Sequence, residues 1–227
     1  MSERLEGKPI MKSSSKTLPL VLLATVAFAF AARPASADTI YTLNIGNSAI
    51  SGYPAPYGQA SVSLDVTGTV ATVTFTAENG YLLGGQGAVA VNVNGAVTIG
   101  SLTNSCIPSA TCGPISDGGS NTEDGFGVFN HTFDSFDGFQ HASTEITFVL
   151  TLLSGTWAND ASVLAATAGG YYAAAHIFVL NSTGTAALAT GYAVDGLEEL
   201  DVPDGGMTMS LLGMAMAGLG LVARRKK

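Results

Sequence analysis

The chain has 227 residues, 47% of them hydrophobic and only 11% charged, a balance that excludes intrinsic disorder. Its 28 glycines follow no three-residue period, which excludes collagen. The formal charge is −8, and no Lys or Arg stands between Arg33 and Arg224, while 15 of the 17 acids lie from Asp38 to Asp204; such a surface repels phosphate backbones and excludes a nucleic-acid partner.

In chain order, residues 1–37 come first and read as a secretory signal peptide. Lys12 and Lys16 supply the positive start, Leu18 to Ala32 is apolar, and Ala35-Ser36-Ala37 is a small-residue cleavage site before Asp38. The apolar run is short for a membrane span and is closed by Arg33-Pro34, so cleavage is expected rather than anchoring.

Residues 38–201 are long enough for one extracytoplasmic domain with a real core. Alternation dominates. Val62, Leu64 and Val66 alternate with Ser61, Ser63 and Asp65; after Thr67-Gly68, Val73 and Phe75 alternate with threonines. Val89, Val91 and Val93 lead into Asn94-Gly95, followed by Val97 and Ile99, a pattern that predicts a two-residue type I′ hairpin because both central residues need positive φ. Further strands are expected at Tyr41 to Ile45, Glu145 to Leu153, Ala174 to Leu180 and Ala187 to Val194. One short helix is expected from Asp160 to Ala168, capped by Asn159 or Asp160 and stopped at Gly169-Gly170. Short strands with Gly, Asn and Ser turns predict an all-β fold, a single antiparallel β-sandwich or jelly-roll-like domain.

Cys106 and Cys112 bracket five residues, and in an exported chain their natural reading is a local disulfide. The stretch from Asp117 to Gln140 interleaves acids with phenylalanines. Its ordinary reading is a solvated Asp/Gly turn followed by a Phe-rich core strand. Its sharper reading is a calcium loop with Asp117, Asn121, Glu123 and Asp124 as oxygen ligands, although no EF-hand pattern fits. Calcium is the one cofactor this composition suggests, since carboxylates with no Lys or Arg nearby must be relieved by solvent, salt, backbone donors or divalent cations.

No catalytic residues are assigned. His131, His141 and His176 are the only imidazoles, there is no G-x-S-x-G, P-loop or dinucleotide pattern, and any choice of two carboxylates among so many is arbitrary. Tyr53, Tyr57 and Trp157 are candidates for stacking on sugars, with a strand lead-in and a core indole as the ordinary alternatives.

The C-terminal segment, 202–227, has three parts. Val202-Pro203-Asp204-Gly205-Gly206 precedes an uncharged run from Met207 to Ala223, and Arg224-Arg225-Lys226-Lys227 follow. As a helix the 17-residue run covers about 25 Å at ~1.5 Å per residue, the low end of a membrane span, and the terminal cations would stay cytoplasmic. This order resembles a PEP-CTERM sorting signal, in the variant whose Pro-Glu-Pro core is replaced by Pro-Asp-Gly. The resemblance implies recognition by an exosortase-type transpeptidase, transient anchoring in the inner membrane, and delivery to the cell surface or an exopolysaccharide-rich matrix. The function it implies is non-enzymatic. The alternatives are a calcium-assisted, lectin-like glycan-binding module and a secreted glycoside hydrolase.

Overall fold

The computed structural model describes residues 38–106, 112–135 and 138–201. The expected signal peptide (1–37) and sorting segment (202–227) lie outside the described residues, as does the Val202–Gly206 motif. The described chain is all-β, with eleven strands, two 3₁₀ turns and no α-helix.

The strands are Thr39–Gly46 (β1), Gly58–Leu64 (β2), Val70–Ala77 (β3), Leu82–Leu83 (β4), Val89–Val91 (β5), Val97–Cys106 (β6), Ile115–Glu123 (β7), Gly127–Ser135 (β8), Ser143–Leu152 (β9), Ala173–Leu180 (β10) and Ala187–Asp201 (β11). Neighbours run β1-β2-β3-β9-β4-β10-β11, and β11 returns to β1, so the sheet closes into a barrel rather than a sandwich. From the barrel, β10 extends through β5 and β8 to β7, and β6 adds to the free edge of β9. Apolar alternation demands one dry face per strand, which a sandwich and a barrel satisfy equally well. Closure depends on long-range pairings. β11 holds β10 on one edge through residues 187–194 and β1 on the other through 193–201. Leu83 then meets Ile177 of β10 on one side and Ser143 of β9 on the other.

The alternation read from the sequence is the alternation of burial. Tyr41 and Leu43, Ala60 and Val62, Val73 and Phe75, and Ile146, Phe148 and Leu150 all belong to one buried cluster. Phe148 sits at its centre, stacked on Phe133 at 4.0 Å and near Phe75 at 6.2 Å between ring centroids. Such pairs add about 0.5–1.5 kcal/mol beyond burial itself, and truncating Phe148 to Ala would cost about 3–5 kcal/mol. Strand β10 is buried on both faces; its Ala174 belongs to a second cluster with Ala90, Phe126, Phe129 and Val194.

Three local expectations differ from the structure. Val66 is 73% exposed because it lies in the β2–β3 turn, where Asp65 Oδ1 accepts the N–H groups of Thr69 and Val70 at 3.0 Å. Asn94-Gly95 is not a hairpin: β5 pairs with β8 and β10, and β6 pairs with β9. Gly95 has φ +108° but Asn94 is not in the left-handed region, so a type I′ turn is absent. Asn94 is instead an anchor for a distant loop, donating its N–H to Val163 O (2.8 Å) and its side-chain amide to Ser162 O (3.0 Å), and accepting the Trp157 indole N–H (2.8 Å). Finally, the helix expected from Asp160 to Ala168 is only a 3₁₀ turn, Asp160–Ser162. Asn159 caps it reciprocally with Ser162, but Leu164 bridges to Val93 and Ala165 donates to Asn92 O (2.7 Å). Strand-like contacts have taken the donors a helix would need.

Candidate functional site

The Phe-rich stretch is a β-hairpin. β7 and β8 pair across the turn Asp124-Gly125-Phe126, where Phe126 N donates to Glu123 O at 3.0 Å and Gly125 adopts φ +89°. The Phe-rich core strand is β8, with Phe129 and Phe133 fully buried; the acid-rich segment before it is a strand, not a solvated turn. Register shifts on either side of Gly119 break simple alternation along β7, so the four expected calcium ligands do not share one environment. Asp117 is exposed and accepts Gly119 N at 2.8 Å, Asn121 accepts its neighbour Thr122 N at 2.8 Å, and Asp124 is exposed in the turn. Glu123 alone is enclosed, at 1% exposure. Among the described residues no three His, Cys, Asp or Glu side chains form a metal-binding group.

Glu123 points at a loop that sequence reasoning passed over. Between β4 and β5 runs Gly84-Gly85-Gln86-Gly87; two side chains hydrogen-bond to its backbone and two more pack against its glycines. Gly87 N donates to Asp134 Oδ1 at 2.8 Å, and Tyr192 Oη donates to Gln86 O at 2.9 Å. A Cβ at Gly87 would meet Glu123 Oε2 at 2.6 Å, and one at Gly85 would meet His176 Nδ1 at 2.7 Å. The His176 ring stacks on Tyr192, 4.6 Å between centroids. Gly85 and Gly87 both have positive φ, which glycine adopts without a Cβ penalty. The signal available in the sequence was this glycine run between two apolar segments.

The electrostatics follow from enclosure. Burial, and then the Asp134 carboxylate, push the Glu123 carboxyl up to about 8. Tyr192 lies close enough to favour the ionised form slightly, but its proton is committed to Gln86 O, and neither Glu123 oxygen has a hydrogen-bond partner. Burial and the neighbouring Glu123, Asp124 and Asp134 push the Tyr192 hydroxyl up to about 12. Burial holds His176 below the usual imidazole range, and His131 likewise, the latter opposed by Asp117. His131 sits on β8 opposite Val91 and His176 on β10 opposite Tyr192, on separate strands.

The sugar-stacking candidates are differently placed. Tyr57 and Trp157 are buried, at 2% and 3% exposure, with the Tyr57 hydroxyl donating within the Ile50–Tyr53 turn and the Trp157 indole held by Asn94. They are core groups. Cys106 and Cys112 are bonded, with an S–S distance of 2.06 Å. No helix among the described residues is long and apolar enough to cross a membrane.

Comparison with protein families, with curated proteins and with solved structures finds no match for this chain.

Proposed function

We propose that this chain is an exported, non-enzymatic protein of the cell surface or extracellular matrix, associated with exopolysaccharide. Its signal peptide (1–37) directs export, and its C-terminal segment (202–227) anchors it transiently in the inner membrane until an exosortase-type transpeptidase cuts near Val202–Gly206. The observation that carries this reading is the order of motif, uncharged run and basic cluster at 202–227, joined to a domain that holds no Lys or Arg. The bonded Cys106–Cys112 pair agrees with an oxidising compartment. A closed barrel agrees with a structural role outside the cell, since closure removes most of the edges on which chains aggregate.

Intact-mass measurement of the protein from its native host tests this. No trypsin site lies from Pro34 to Ala223, so the processed chain should survive trypsin whole, beginning at Asp38 and ending within or near 202–206. A full-length chain in the cytosol, with 1–37 and 202–227 both retained, would end the proposal.

A further inference from the structure

Glu123 is the only acid among the described residues that is fully buried with both carboxylate oxygens lacking a hydrogen-bond partner. A carboxylate offers about four lone-pair sites, and leaving them empty in the interior is costly. A proton repairs this only in part. It removes the charge and gives Glu123 a donor for the neighbouring Tyr192 oxygen, but it leaves the other carboxyl oxygen with no donor.

The second carboxylate is in the same place. Asp134 Oδ1 takes the Gly87 N–H, and its Oδ2 faces Gly118, where a Cβ would come within 2.7 Å. Gly87 is thus held between Glu123 on one side and Asp134 on the other. The groups around the pair are Tyr192 and His176 from β11 and β10 and Asp124 from the turn, and none supplies a positive charge while His176 is held neutral by burial. The domain contains no Lys or Arg that could do so. Two carboxylates facing one glycine backbone, one with no backbone donor, lack a cationic partner.

We propose that Glu123 and Asp134, meeting at the Gly85–Gly87 loop, form a binding site for a single hard divalent cation, calcium being the best suited. Calcium takes six to eight oxygens in irregular geometry, whereas magnesium demands a near-ideal octahedron. Glu123 supplies two oxygens and Asp134 one. The Gln86 carbonyl, with one lone pair engaged by Tyr192, and water admitted past the half-buried Asp134 provide the remainder. This ligand set replaces the sequential one of Asp117, Asn121, Glu123 and Asp124, and it stands independently of the export reading. Bound there, the cation would tie the β7–β8 hairpin to the loop between β4 and β5, joining the outer sheet to the barrel seam.

The test uses the whole chain in a non-ionic detergent at constant ionic strength. Calorimetric titration with calcium should give one site per chain, and saturating calcium should raise Tm by about 5–10 °C over matched sodium chloride. Magnesium should do markedly less. Glu123→Gln and Asp134→Asn should each weaken calcium binding at least about tenfold while leaving the circular dichroism spectrum native, and Asp117→Asn should bind as the parent does. Three results would overturn the proposal: no calcium binding at millimolar concentration, binding that survives both Glu123→Gln and Asp134→Asn, or binding lost in Asp117→Asn instead. If Glu123→Gln does not fold, the parent titration and Asp134→Asn decide the matter alone.

Discussion

Glu123 and Asp195 are equally buried, each 1% exposed, yet the barrel treats them in opposite ways. Asp195, on β11, has one oxygen accepting the N–H groups of Tyr172 and Ala173, both at 2.9 Å, at the entrance to β10. Burial raises its carboxyl to about 6, with those two donors restraining the rise. Glu123 has no backbone donor and a carboxylate neighbour, and its carboxyl rises to about 8. The first acid is a clasp that satisfies backbone groups no strand could pair. The second satisfies no backbone group, which is what a ligand-binding group does.

The sharpest way to break the comparison is to remove the clasp. Asp195→Ala should cost about 3 kcal/mol, because two buried N–H groups lose their acceptor, whereas Asp195→Asn retains an oxygen and should cost about 1 kcal/mol; urea unfolding at constant pH reads both. Next comes the pH profile without divalent cations. Each acid has a folded value above its unfolded one, so the native state holds the extra proton. The stabilising contribution is complete below the unfolded value and is lost as pH rises to the folded value. Asp195 therefore acts up to about pH 6 and Glu123 up to about pH 8. The buried imidazoles of His131 and His176 act with opposite sign below their ordinary value of about 6.5. Between pH 6.5 and 8 the parent should lose up to about 2 kcal/mol, and Glu123→Gln should remove that slope.

Asp160 is a third buried acid, and its Oδ1 accepts the Leu64 N–H at 2.9 Å. Asp160→Ala should cost about 1.5 kcal/mol, since that donor loses its acceptor. The smallest effect lies beside it. Asn159→Ala deletes the cap of the 3₁₀ turn that carries Asp160 and should cost about 1 kcal/mol. A cost at Asn159 exceeding that at Asp160 would mean the turn, not the carboxylate, holds β2 to this loop.

The strands were legible because their signal is local. Val62, Val73, Phe75, Ile146 and Phe148 reveal themselves by alternating mostly with Ser, Thr and Glu neighbours, and all five are buried. What joins the strands was not legible. The closure of β11 onto β1, and the meeting of Leu83 with both β9 and β10, depend on partners far apart in sequence. Asn94-Gly95 shows how a local rule is overridden: the same dipeptide that favours a tight hairpin is here recruited to bind the Trp157–Val163 loop. The site shows the same limit. Glu123 stood out by composition, but Asp134, Tyr192 and the Gly85–Gly87 loop reach it only through three separate strand pairings.

Leu82 and Leu83 give the barrel a narrow weld. Most other joints in the ring are made along several residues, while β4 bridges β9 and β10 with two, assisted by Gly84 N donating to His176 O at 3.2 Å. Local opening costs least where few backbone bonds must part together. Breathing of the cylinder should thus begin at this weld, with deuterium reaching the amides of Leu83 and Gly84 well before those of the β1–β2–β3 meander.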